Sequence, residues 1–84
     1  MNRKQRINKI LSKKFDDFIL EIIDNSNLHI GHNNFTGKDE THLKIVLIKK
    51  NKITYNRLNI HRTINNLLKE EFSKGLHSLE IKIS

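Results

Sequence analysis

The stretch from His42 to Ile83 constrains the fold more than any other part of the chain. His42-Leu43-Lys44-Ile45-Val46-Leu47-Ile48 is aliphatic and β-branched and reads as a strand, with Leu43, Ile45 and Leu47 on one face because side chains alternate along an extended chain. Ser78-Leu79-Glu80-Ile81-Lys82-Ile83 alternates strictly between apolar and polar residues and reads as another strand. After a polar turn, Lys49-Lys50-Asn51-Lys52, the chain from Tyr55 to about Lys74 carries Leu58, Ile60, Ile64, Leu67, Leu68 and Phe72 at mostly helical spacing. Strand, helical crossover and strand together favour a parallel pair with the helical layer on one face of the sheet.

The first half supplies the rest of the core. Ile7, Ile10, Leu11 and Phe15 recur at helical spacing among Arg and Lys, which predicts an amphipathic helix over residues 2–14, broken at Asp16-Asp17. Phe18-Ile19-Leu20-Glu21-Ile22-Ile23 reads as a strand that can pair antiparallel with the strand at His42–Ile48. Within the helical stretch a break is expected near Asn59, since Asn is a good N-cap. Gly75 suits a helix C-terminus in a left-handed conformation. The order is αββααβ, an α+β two-layer sandwich with a three-stranded mixed sheet, in one domain over residues 1–84.

Composition removes several classes of function. The 84 residues contain neither Cys nor Pro, so they hold no disulfide, no thiolate nucleophile and no cysteine-ligated metal site of their own. No apolar run approaches the roughly 20 residues that span a bilayer, and the basic start, Met1 to Arg6, is not followed by a signal-like apolar stretch. The expectation is a cytoplasmic protein without a membrane partner. The net charge is +7, with acid-free basic blocks at residues 1–14 and between Glu40 and Glu70. Such blocks suit an acidic protein surface or a phosphate backbone, and equally suit plain solubility.

The residues with chemistry are the histidines His29, His32, His42, His61 and His77. His29 and His32 form H-x-x-H in the polar connection Asp24–Thr41, which is long for a hairpin and therefore a candidate functional loop. Alone this spacing is weak, because no H-E-x-x-H and no Cys pair accompanies it. His77 begins the last strand, directly after Gly75-Leu76, at the end of a rigid element. His42 could simply flank the loop, and His61 could be packed in a helix turn. No G-x-S-x-G nucleophile elbow occurs, and Asp16 and Asp17, adjacent in sequence, should point apart; the expectation is a protein that is not an enzyme.

Four segments resemble the BolA family in order. Asp24-Asn-Ser26-Asn-Leu-His29-Ile-Gly31-His32 resembles its D-x-S-x-x-H-x-G-H segment, and Glu40-Thr41-His42-Leu43-Lys44-Ile45 its E-T-H-F-K-V strand start. His61-Arg62 lies in what resembles the R-H-R helix, and Gly75-Leu76-His77-Ser78-Leu79 resembles the G-V-H-A-L lead into the last strand. The chain departs from the family at Ile60, where the family has Arg, and at Thr54, where it has Gly.

The resemblance implies a fold similar to type II K-homology domains, with a helix-turn-helix-like element. It also implies a monothiol glutaredoxin partner and a [2Fe-2S] cluster shared with that partner's cysteine and a glutathione thiolate, with none in the isolated protein. On the matching motifs the metal ligands from this chain are His77 and His29, with His32 as the alternative loop ligand. Imidazole ligation without Cys has a precedent in Rieske centres. The role implied is an adaptor in iron–sulfur assembly or in iron, redox or stress regulation, monomeric when free. The alternative is a DNA-binding transcriptional regulator, for which Lys49, Lys50, Lys52, Arg57 and Arg62 would supply the charge.

Overall fold

The computed structural model describes residues 1–25 and 41–84. The elements run α1 (Arg3–Lys14), β1 (Phe18–Asp24), β2 (His42–Lys49), α2 (Arg57–Leu67), α3 (Lys69–Ser73) and β3 (Ser78–Ile83). The sheet order is β1-β2-β3. β1 pairs antiparallel with β2, placing Leu20 opposite Leu47 and Ile22 opposite Ile45; β2 pairs parallel with β3, placing Ile45 opposite Ile81 and Leu47 opposite Ile83.

One face of the sheet and the helices close a single core. Ile7, Leu11, Ile45, Leu47, Ile64 and Leu68 are fully buried, and Phe15, Phe18, Ile22, Leu43, Ile60, Leu76 and Ile83 join them. Burying one such aliphatic side chain contributes roughly 1.5–3 kcal/mol. Phe18 packs edge-on against Phe15 and Tyr55, with ring centroids 6.2 and 6.0 Å apart. The opposite sheet face carries Ile19, Glu21, Lys44, Val46, Ile48, Glu80 and Lys82, as strand alternation requires. Among the described residues no helix is long and apolar enough to cross a membrane.

The termini of the elements follow side-chain chemistry. Asn2 caps α1 in a capping box: its side chain accepts from the Gln5 N–H at 2.8 Å, and the Gln5 side chain accepts from the Asn2 N–H at 3.0 Å. Gly75 adopts φ +118°, a region that L side chains rarely enter, so the chain turns there without strain.

Two helical details differ from the sequence expectation. The cap of α2 is Asn56, not Asn59, and its side chain accepts the Asn59 N–H at 3.0 Å. The helical break falls at Leu68, whose carbonyl accepts the N–H groups of Glu71 and Phe72 at 2.9 and 3.2 Å and so restarts the helix. The buried stripe is therefore narrower than the apolar pattern: Ile60, Ile64 and Leu68, spaced by four, face the core, while Leu58 is 56% exposed and Leu67, Phe72 and Ile10 lie partly in solvent.

Candidate functional site

The start of β3 is fixed by β2. The Thr41 carbonyl accepts the N–H of His77 at 2.8 Å and of Ser78 at 3.1 Å, which holds the His77 backbone beside the start of β2. Its side chain is exposed. The His42 ring lies 5.9 Å from the His77 ring, centroid to centroid, at 56°. His42 Nδ1 lies 2.9 Å from Thr41 Oγ1, a contact that orients the His42 ring.

The segment carrying His29 and His32 is rooted at the same place. The Asn25 N–H donates to the His42 carbonyl at 2.8 Å, and described chain resumes at Thr41. Both roots of that segment thus meet the strand start that positions His77. His29 and His32 themselves lie outside the described residues. Sequence reasoning treated His42 as a flanking residue; its register position, opposite Ser78, was the signal that brings it next to His77.

Behind His77 the structure holds a buried charge cluster that the sequence reading passed over. Arg3 Nε donates to Glu71 Oε1 at 3.0 Å, Arg6 Nε to Glu71 Oε2 at 2.8 Å, and Arg6 Nη2 to Glu71 Oε1 at 2.8 Å. The Arg3 and Glu71 side chains are 9% and 6% exposed. The hydrogen bond from Arg6, then that from Arg3, outweigh desolvation and lower the Glu71 carboxyl from 4.5 to about 2. Arg3 Nη2 also donates to the Lys74 carbonyl at 2.9 Å, so α1 grips the turn at Gly75, two residues before His77. The signal was present in the spacing. Arg3, Ile7 and Leu11 are spaced by fours, and Glu71 follows Ile64 by seven and Leu68 by three, so both charges sit on apolar stripes.

The basic residues of the second block sit elsewhere. Lys49, Lys50, Lys52, Arg57 and Arg62 are all exposed: Lys49 ends β2, Lys50 and Lys52 lie on the β2–α2 connection, and Arg57 and Arg62 lie on α2. Lys49 Nζ lies 5.3 Å from the Tyr55 ring centroid, a cation–π contact, and the Lys50 N–H donates to the Asp17 carbonyl at 3.1 Å. Ile60, where the family has Arg, is buried, so this chain uses that position for packing.

His77 offers an outward-facing imidazole on a rigid backbone, and among the described residues no three His, Cys, Asp or Glu side chains gather to hold a metal. With no Cys in these 84 residues, thiolate ligands would come from outside the chain.

Comparison with known proteins agrees with this architecture. Residues 11–84 match the sequence profile of the BolA family, described as BolA-like protein. The chain is 37% identical over 82 residues to the chloroplastic protein BOLA1 of Arabidopsis thaliana, covering 95% of this chain and 51% of that one. It is 33% identical over 78 residues to the DNA-binding transcriptional regulator BolA of Escherichia coli strain K12, covering 93% and 70%. Among solved structures, BolA1 from Arabidopsis thaliana superposes with a TM-score of 0.79 at 35% identity, over 100% of this chain and 92% of that one. A family profile spanning most of the chain, with relatives 37% and 33% identical over more than nine-tenths of it, places the chain in the BolA-like protein family.

Proposed function

We propose that this BolA-like protein is a binding adaptor rather than an enzyme, docking a monothiol glutaredoxin and giving two histidines to a [2Fe-2S] cluster shared with that partner and glutathione. The observation that carries the reading is the start of β3, where an exposed His77 is held by the Thr41 carbonyl at 2.8 Å, at the root of the segment bearing His29 and His32. His77 would be the fixed ligand, and His29, or His32 in its place, the ligand from the connecting segment. Neutral imidazoles in place of thiolates would raise the reduction potential of the cluster, which supplies one-electron chemistry when bound. His42, 5.9 Å from His77, limits the directions its imidazole can take.

The test mixes the protein with a monothiol glutaredoxin, glutathione, iron and sulfide and follows visible absorption and circular dichroism. A mixed spectrum distinct from that of the glutaredoxin alone is expected, lost in His77→Ala and altered in His29→Ala, with far-ultraviolet dichroism unchanged. If both variants keep the mixed spectrum, the ligand assignment is wrong.

The Escherichia coli relative's description as a DNA-binding transcriptional regulator favours a second reading, in which Lys49, Lys50, Lys52, Arg57 and Arg62 contact phosphates. A sequence-selective gel shift that survives about 150 mM salt would support it, since nonspecific phosphate binding weakens steeply with salt.

A further inference from the structure

We propose that the outer edge of β3, together with the adjoining face of α2, takes up an extended acidic peptide segment of a partner protein as an added strand. The proposal is independent of the cluster reading and concerns the outer edge of β3 from Leu79 to Ile83.

The first argument is the hydrogen-bond register. β3 is a sheet edge, and its inner side is used by β2. The Ser78 N–H donates to the Thr41 carbonyl, the Ser84 N–H donates to the Leu47 carbonyl, and the Ser84 carbonyl accepts from the Lys49 N–H. Strand geometry then turns the N–H and C=O of Leu79, Ile81 and Ile83 to the outer side. Among the described residues no strand pairs there. Donors and acceptors alternate along this edge, a pattern that another backbone satisfies fully and that a phosphate chain, which only accepts, leaves half unmet.

The second argument is the wall beside that edge. Arg57 and His61 of α2 face Ile81, Lys82 and Ile83 across a groove, and Leu58, 56% exposed, adjoins Arg57 and His61. Among the described residues the lining is apolar and cationic, with no acid in it. An extended segment alternating apolar and acidic residues would lay its apolar set against Leu58 and Ile81 on the helix side of the sheet and its acidic set beside Lys82 on the open face, with Arg57 adding positive charge to the groove. The same charges disfavour a second copy of this chain, whose net charge is +7, and a Lys on an edge strand is a known guard against self-pairing.

The experiment uses a fluorescent peptide of about ten residues, a long-strand length, alternating valine with glutamate or aspartate. Anisotropy should show saturable binding, weakened about tenfold or more by the double variant Arg57→Glu, Lys82→Glu, a loss in keeping with removal of two rim charges. Both residues are exposed, and Glu in the first turn of α2 suits the helix, so the variant should keep its far-ultraviolet spectrum. A peptide with proline at its centre, which lacks one N–H, should bind more weakly. Amide exchange should slow at Leu79, Ile81 and Ile83 and stay unchanged at Ser78, Glu80 and Lys82. Absence of binding overturns the proposal. So does binding that leaves those three amides unprotected, and so does a single-stranded oligonucleotide perturbing Arg57 and His61 where the peptide does not, which would assign the groove to nucleic acid.

Discussion

The two basic blocks look alike in the sequence and behave differently in the fold. In the first, Arg3 and Arg6 turn inward to one carboxylate, Glu71, and hold α1 against α3 and the turn at Gly75. In the second, Lys50, Lys52, Arg57 and Arg62 point to solvent from the β2–α2 connection and α2. A run of positive charge therefore says little about which charges can meet a partner. What decides it is whether a residue lies on the apolar stripe of its element.

The largest expected effect breaks the inner cluster. Glu71→Ala leaves a buried guanidinium without its counter-charge and should cost about 3–5 kcal/mol in urea unfolding, whereas Lys50→Ala or Lys52→Ala should change stability by no more than about 0.5 kcal/mol. Similar small costs for all three would erase the distinction between the blocks.

Acid titration sharpens the same comparison. The Glu71 carboxyl titrates at about 2 when folded against 4.5 ordinarily, so its contribution is complete above about pH 5 and is lost as pH falls toward 2. That shift corresponds to a loss on the order of 3 kcal/mol over this window. Glu71→Gln should be less stable at neutral pH and should lack the step.

Gly75→Ala comes next. The added Cβ meets Arg3 Nη2 at an ordinary 3.6 Å, so the cost, about 1–2 kcal/mol, should come from the positive φ alone. Asn2→Ala, which removes the cap of α1, should cost about 1 kcal/mol. Arg57→Ala should barely change stability; if α2 contacts phosphates, it should lower the salt slope of nucleic-acid binding by about one.

Most of the fold was legible because its signals are local. Strict alternation fixed β3 at Ser78–Ile83, and β2 and α1 differ from expectation by one residue at one end. The helical stretch was harder. Asn56 and Asn59 are equally good caps in isolation, and the sequence alone does not choose between them; in the fold Asn56 accepts the Asn59 N–H. Leu58, Leu67 and Phe72 are apolar by composition yet sit at the margin of the stripe, a matter of packing against particular neighbours. For the candidate site, His77 was placed by its strand and His42 by register. The Arg3–Glu71–Arg6 cluster joins residues 68 positions apart, a distance over which no periodicity speaks, although the stripe positions at either end were visible.

That separation also bears on how the protein assembles. β1 and β2 form a hairpin, but α1 meets its counter-charge only once Glu71 has been synthesised, and the parallel β2–β3 pair waits on the whole crossover. Closing so long a loop is an entropic cost met late. The backbone around His77 thus rests on long-range contacts, from the Thr41 carbonyl and from Arg3 through the Lys74 carbonyl, and loss of either would loosen it.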